Sequence, residues 1–391
     1  MRVSKIRRNW LVLAVLLTGC VERYYPEEDN LLTGTLVVNA HLTDKPGNQT
    51  IRISRSDRLL YPEYIPESNC IVEVENDEGE LVTFTETTPG EYTSDLHADF
   101  LHTGFRYRLL IITSNGSNYE SEFTELHPST EIDSVYYLLE FVPTEDPGST
   151  VDGIRFYMDF EIDPDSSAFM RWEIIETYEY HNPDYDVFIY DVDRVVKPVP
   201  EELSDRRCWI TLHIPEIYTR DVGNINSRQY SFLPLHFVSN ETQRLEYGYS
   251  ILVRQLSMDE AAFRYWDELK KNSQDIGGIY DRQPSFTPSN ICNCENPAEK
   301  ILGFFSVSGV SEKRIFVQNV EGLNIPERFF CLPTFERPRL RFLMNRDLPI
   351  FMAEAEWPIT GETIFGEVTR RCVDCRIRRG SAGDPPDFWQ F

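Results

Sequence analysis

Basic residues are scarce in this chain of 391 residues: 38 Lys and Arg stand against 64 Asp and Glu, a formal charge of −26. A nucleic-acid binder needs cations to neutralise phosphates, so that class is excluded. No apolar run reaches the ~20 residues of a membrane-spanning helix. H-E-x-x-H, G-x-S-x-G, G-x-x-x-x-G-K-[ST] and G-x-G-x-x-G are all missing, which removes the usual signatures of zinc proteases, α/β-hydrolases and nucleotide binders. The seven histidines are scattered, and the closest pair, His97 and His102, is five apart, sharing neither a helix face nor a strand face. No metal, cofactor or catalytic residue is expected. Paired carboxylates are no signal here, because among so many acids some pair is always at hand. Disorder is excluded by the 13% of aromatic residues, and the length suits two domains or one large one.

What is present begins at the N-terminus. Arg2, Lys5, Arg7 and Arg8 precede a short apolar segment, Trp10 to Leu17, and Leu17-Thr18-Gly19-Cys20 follows at once. Eight apolar residues are too few to span a bilayer, and the order is that of a secretory signal. It resembles a bacterial lipoprotein signal, which predicts cleavage after residue 19, lipidation of Cys20 and acyl chains as the membrane anchor. The mature chain then carries −30. Residues 20–34 read as a tether, acidic at Glu22, Glu27, Glu28 and Asp29, and resemble the surface-export signals of Bacteroidota lipoproteins; a merely solvated linker is the alternative. Residues 20–140 hold 7 basic and 23 acidic side chains, residues 301–391 twelve of each, so the acidic half lies nearest the lipid. Repulsion from an anionic surface would hold it clear of the membrane.

Residues 35–128 carry short β-branched or alternating runs at 35–42, 51–53, 71–75, 81–84, 90–92, 104–112 and 119–121, separated by turn signals such as Pro46-Gly47-Asn48, Asn76-Asp77-Glu78-Gly79 and Ser114-Asn115-Gly116-Ser117. Seven or so strands at that spacing predict an immunoglobulin-like β-sandwich. Residues 129–391 form the second, larger β-rich domain. Ile154, Phe156, Met158, Phe160 and Ile162 alternate with polar residues, and Ala168, Met170, Trp172 and Ile174 repeat the pattern, as half-buried strands do. One helix is expected near 257–273. Ser257 and Glu260 have the order of a capping box, Ala262, Phe263, Trp266 and Leu269 recur at helical spacing, and Gly277-Gly278 closes it. The aromatic stripe on it is read as core packing.

Several motifs then fall into a familiar order: Tyr265-Trp266 on the helix, Gly277-Gly278-Ile279-Tyr280-Asp281 with Pro284, Asn296-Pro297, Leu302-Gly303-Phe304-Phe305-Ser306, and Cys372-Val373-Asp374-Cys375-Arg376 ahead of a Pro-x-x-Phe-Trp tail. In that order they resemble the Bacteroidota lipoprotein family catalogued as domain of unknown function 4249. The resemblance covers nearly the whole mature chain and departs from the pattern at Arg378-Arg379-Gly380-Ser381, where a more glycine-rich turn is expected. It implies an outer-membrane lipoprotein, lipid-anchored and facing the exterior, that accompanies a TonB-dependent nutrient transporter. It implies no catalytic residues.

Apart from Cys20, seven cysteines remain. An exported chain makes disulfides the default, with Cys292, Cys294, Cys331, Cys372 and Cys375 as candidates and Cys70 or Cys208 as the odd thiol. Four thiolates from the C-x-C and C-x-x-C pairs holding zinc is the weighed alternative. The expected ligand or partner surface is the tyrosine-rich stretch bearing Tyr178, Tyr180, Tyr185, Phe188 and Tyr190, whose neighbouring carboxylates would favour a basic ligand. Packing of these rings on a sheet is the alternative. The resulting expectation is a surface-exposed accessory lipoprotein that captures substrate for, or gates, a TonB-dependent transporter, working by binding rather than chemistry. An adhesin or assembly lipoprotein is the second reading, and a hydrolase with an unrecognised site the third.

Overall fold

The computed structural model describes residues 33–58, 63–144, 146, 148–163, 166–223, 228–274, 286–326, 331–334, 344–356 and 360–391. Cys20, the tether up to residue 32 and Gly277-Gly278 lie outside the described residues. The fold is mainly β, with one α-helix, Glu260–Gln274, among the described residues.

The first sandwich is one hydrogen-bonded path of strands curled over a single core. Leu36–Thr43 pairs with Gly47–Arg55, which pairs with Glu91–Leu96; Leu81–Thr88 joins that half to Ile71–Asn76, Arg106–Ile112 and Asn118–Ser121. Alternation drives the closure: Leu36, Val38, Ile51 and Ile53 from one half meet Val72, Val74, Tyr107 and Leu109 from the other, all fully buried. The seven strands just named lie within residues 35–128. Two later segments return to complete the sandwich. Ile291–Asn293 extends one end of the path beside Asn118–Ser121, and Leu302–Ser308 extends the other, parallel to Leu36–Thr43. Ile291, Ile301, Phe305 and Val307 are therefore core residues of the first sandwich. A parallel partner needs a long crossover, which the intervening second domain supplies.

Gly309 is where the return strand passes into Val310–Gln318 of the second sandwich. A Cβ there would lie 2.5 Å from the His127 carbonyl oxygen, so the chain crosses at glycine. Ser257 Oγ donates to that same carbonyl (2.5 Å) and accepts from Gly309 N–H (2.9 Å). Gln255 Nε2 donates to Thr130 O (2.6 Å), and its Oε1 accepts from the buried Trp172 indole (2.9 Å). Ser257 is therefore not the helix cap. Its strand, Gly248–Met258, runs on by one residue, and Asp259 takes the role, its Oδ1 accepting from Ala262 N–H at 2.7 Å.

In the second sandwich a three-stranded sheet (Ile132–Pro143, Thr150–Glu161, Gln229–Ser239) faces a larger one centred on Phe169–His181 and Gly248–Met258. The predicted inward residues Ile154, Phe156, Met158, Phe160, Met170, Trp172 and Ile174 are buried between them. A four-stranded sheet (Asp186–Tyr190, Val196–Pro198, Ile350–Glu356, Thr363–Val368) adds a smaller core. The tail crosses the outer face of the larger sheet. Trp389 and Phe391 pack edge-on against Phe316, and the Arg314 guanidinium lies 3.6 Å from the Phe388 ring centroid.

The cysteine expectation needs correction. Cys208 pairs with Cys375 and Cys331 with Cys372, while Cys70, Cys292 and Cys294 are free thiols. The C-x-x-C is not extended. Consecutive 3-10 turns, Arg370–Cys372 and Cys375–Ile377, send its two sulfurs to different cores, one under the four-stranded sheet and one against strand Arg207–His213. Cys292 and Cys294 fall instead on the outer face of the strand-end at 291–294, exposed, with Ile291 and Asn293 turned inward.

Candidate functional site

The helix Glu260–Gln274 leans on the edge of the first sandwich and forms a cleft of about 530 Å³ with it. One wall is the parallel strand pair, contributing Val37, Asn39, Leu302 and Phe304; the other is the helix face with Tyr265, Trp266, Leu269 and Asn272; Phe286 and Thr287 close one end. Tyr265 stacks on Phe304 (4.7 Å between centroids) and Phe263 on Phe169 (4.8 Å), which fixes the helix across both sandwiches. Gly303 permits the close strand approach: φ is +96° and a Cβ would sit 1.8 Å from the Val38 carbonyl oxygen. Of the stripe expected as core, Ala262 is buried and Phe263 packs against Phe169, whereas Trp266 and Leu269, with their neighbour Tyr265, are only half-buried and line the opening.

 Aromatic and amide side chains in this arrangement suit an apolar or aromatic body held by a few hydrogen bonds.

Beyond Phe304, the larger sheet of the second sandwich carries a charged row across Phe169–His181, Gly248–Met258 and Val310–Gln318. Arg171 lies over the Trp266 ring at 3.6 Å and pairs with Glu173 (3.0 Å); Glu173 pairs with Arg254 (2.9 Å), and Arg254 with Glu312 (2.7 Å). His41 Nδ1 is hydrogen-bonded to Ser306 Oγ (2.7 Å), while its Nε2 is buried without a partner. Burial pushes the His41 imidazole down to about 4; Glu173 opposes that shift, and the Arg171 and Arg254 charges add to it. Burial works to raise the Glu173 carboxyl, but Arg171, His41 and Arg254 outweigh it and hold the group below the usual range.

The tyrosine-rich stretch does not form one surface. Tyr185 donates to the Cys331 carbonyl oxygen (2.6 Å), Phe188 packs near Phe365, and Tyr190 is buried with Ile350 and Met352. Only Tyr178 and Tyr180 share an opening, a cavity of about 360 Å³ also lined by Gln243, Thr369, Arg371, Arg378 and the Cys331–Cys372 bridge. The expected preference for a basic ligand is not what this opening offers: Glu179 pairs with Arg207 (2.7 Å) and Asp184 with Arg206 (2.5 Å), while Tyr178 and Tyr180 share the cavity with Arg371 and Arg378. Among the described residues, the one group of three potential metal ligands is Asp205, Cys208 and Cys375, and both of its sulfurs are in the disulfide.

A third feature had no signal in the sequence. Phe232, a non-glycine residue at φ +57°, stands exposed on the three-stranded sheet, edge-on to Tyr136 and Tyr157 at 5.9 and 6.3 Å. Asp159 holds its backbone N–H at 2.8 Å.

These features define a mainly β chain of two sandwiches with an aromatic cleft at their junction. The chain belongs to the family described as Domain of unknown function (DUF4249), whose model matches residues 21–314. The match ends inside Val310–Gln318, ahead of the bridged cysteines and the aromatic tail. No curated protein matches. Among solved structures, trypsin-activated alpha-2-macroglobulin from Escherichia coli is similar at 10% identity and a TM-score of 0.19, over 61% of this chain and 15% of that one, a likeness too slight to carry an argument.

Proposed function

We propose that this protein is a Bacteroidota outer-membrane lipoprotein, anchored through acylated Cys20 and facing the cell exterior, that captures substrate for, or gates, a TonB-dependent nutrient transporter. The observation that carries a binding role is the cleft between the helix and the first sandwich, an aromatic-walled opening of ligand size at a domain junction. The Leu17-Thr18-Gly19-Cys20 sequence supports the anchor, and the acidic residues at 22–29 support export to the surface. Binding rather than chemistry is proposed because the cleft walls are aromatic, aliphatic and amide side chains.

The test is co-purification of the full lipidated chain from outer membranes, paired with growth on the imported nutrient. A stoichiometric barrel partner, with uptake lost in Trp266→Ala while the complex persists, supports the proposal. Absence of any barrel sinks it. A second reading, an adhesin or assembly lipoprotein, is favoured by the exposed Phe232 ring beside the half-buried Tyr136 and Tyr157, since a strained exposed aromatic is a costly feature to keep. Under that reading Phe232→Ser abolishes adhesion or assembly and leaves uptake intact.

A further inference from the structure

The cavity floored by Tyr178 and Tyr180 is separate from the junction cleft and opposite in character to the protein around it. The chain carries −26, yet this opening holds two arginines. Arg371 makes no ion pair or hydrogen bond among the described residues. Arg378 makes no ion pair there either. Its guanidinium lies 4.1 Å from the Tyr180 ring centroid and donates from Nη2 to the Tyr180 hydroxyl (2.6 Å), while its Nε is buried without a partner. A buried guanidinium N–H with no acceptor is costly unless something supplies one. The carboxylates whose charge bears on the tyrosines are Glu246 for Tyr180 and Glu176 for Tyr178. Glu176 is already engaged by Arg244 (3.1 Å) and by the Tyr249 hydroxyl (2.9 Å).

The pocket is also held in shape. The Cys331–Cys372 bridge forms part of its wall, and Cys375, three residues before Arg378, is tied to Cys208. Arg371 precedes one bridged cysteine directly, so both arginines project from a doubly stapled turn. A guanidinium fork matches two oxygens of a carboxylate or phosphate; the Arg378 fork, already held on Tyr180, loses little entropy on binding, while the exposed Arg371 is ordered by the ligand.

We propose that this cavity binds a small organic anion, whose carboxylate or phosphate oxygens meet Arg371 and Arg378 while an apolar body rests against Tyr178. The volume of about 360 Å³ suits a ligand of one or two rings. The site is independent of the junction cleft and stands whether or not a transporter partner is found.

Calorimetric titration of the full chain with benzoate, phenyl phosphate, inorganic phosphate and neutral benzyl alcohol tests this. Benzoate or phenyl phosphate should bind, and their ranking identifies the preferred head group. Benzyl alcohol and inorganic phosphate should each bind about 10-fold more weakly or worse, since one lacks the charge and the other the apolar body. Arg371→Gln should weaken the anion by about 10-fold, and Arg371→Gln with Arg378→Gln should abolish binding. Trp266→Ala should leave it unchanged. Arg371 has no partner to lose, so its variant decides the matter even where replacing Arg378 disturbs the turn; Arg378→Lys, which keeps the charge, should retain part of the affinity. Equal binding of benzyl alcohol, full binding by the Arg371→Gln variant, or no heat from either phenyl anion would overturn the proposal.

Discussion

Removing the Cys208–Cys375 bridge should be the most damaging cysteine substitution in this protein. The bridge spans 167 residues and Cys331–Cys372 spans 41. In the chain-entropy description, opening loops of those lengths releases about 5 and about 4 kcal/mol of unfolded-state constraint at 25 °C. The smaller loop is nested in the larger, so with the inner bridge intact the outer loop is effectively shorter. Because the dependence is logarithmic, that nesting changes the larger figure by only about 0.2 kcal/mol. Measured losses for native bridges run about 2–5 kcal/mol, against a total stability of about 5–15 kcal/mol, so the outer bridge accounts for a sizeable part of the whole. Guanidinium unfolding followed by tryptophan fluorescence should therefore show Cys208→Ala with Cys375→Ala losing about 3–5 kcal/mol, and Cys331→Ala with Cys372→Ala about 2–4 kcal/mol. Cys292→Ser with Cys294→Ser should stay within about 0.5 kcal/mol of the parent, as exposed substitutions do. Native thiol labelling should modify Cys292 and Cys294 quickly and Cys70 slowly, since Cys70 is half-buried and burial pushes its thiol up. A Cys372–Cys375 linkage in non-reducing peptide maps would refute the pairing, as would destabilisation confined to the Cys292 and Cys294 variant, and a Cys292–Cys294 linkage would refute the free thiols.

Acidification should loosen the junction through His41. Its folded-state value of about 4 lies below the ordinary 6.5, so the unfolded chain takes up the proton first; the stabilisation is present above 6.5 and is lost as pH falls from there through 4. The loss is on the order of 3 kcal/mol at most, less for a half-buried ring, and His41→Gln should flatten thermal-unfolding midpoints across that window. Identical pH slopes for the two proteins would assign the effect to another group. Asp259→Ala should cost about 1 kcal/mol as a lost cap in urea unfolding, and no loss in that variant would return the cap to Ser257. Ser257→Ala should cost about 0.5–1.5 kcal/mol, because the Gly309 N–H still donates to the His127 carbonyl oxygen (3.0 Å) once the hydroxyl is gone. Gly303→Ala should fail to give soluble, folded protein, because both the left-handed φ and the 1.8 Å approach to Val38 forbid a Cβ; a folded variant with parent-like stability would show that the strand pair is spaced otherwise.

Local order was legible from the residues, and long-range closure was not. The period-two run Ile154–Ile162 and the helical stripe from Ala262 to Leu269 report their own secondary structure, because the partner they need is any apolar surface. Leu302-Gly303-Phe304-Phe305-Ser306 reads as a strand equally well, but nothing in it says that the partner is Leu36–Thr43, some 260 positions earlier. Gly303 was visible as a glycine inside a strand; what it permits becomes visible only beside Val38. The cysteines show the same limit. Spacing suggests that neighbours in sequence pair, whereas two short 3-10 turns suffice to send Cys372 and Cys375 to opposite cores.

That limit falls hardest on sites, and it has a physical cause. The junction cleft takes its walls from residues 37–39, 265–272, 286–287 and 302–304, and the arginine cavity from residues 178–180, 243, 331 and 369–378. A binding cavity needs walls that converge from different directions, which one extended segment cannot supply, so residues adjacent in sequence rarely line it alone. The tyrosine stretch illustrates the consequence. Its aromatic density is real, but on the strand Phe169–His181 and the sheet beyond it those rings are distributed among three cores, and only Tyr178 and Tyr180 reach an opening. The charge that faces them was then set by Arg371 and Arg378, nearly two hundred residues later, rather than by the acids alongside. Net charge is similarly silent on the matter: a chain at −26 keeps a pocket in which Arg371 and Arg378, close in sequence to bridged cysteines, make no ion pair among the described residues.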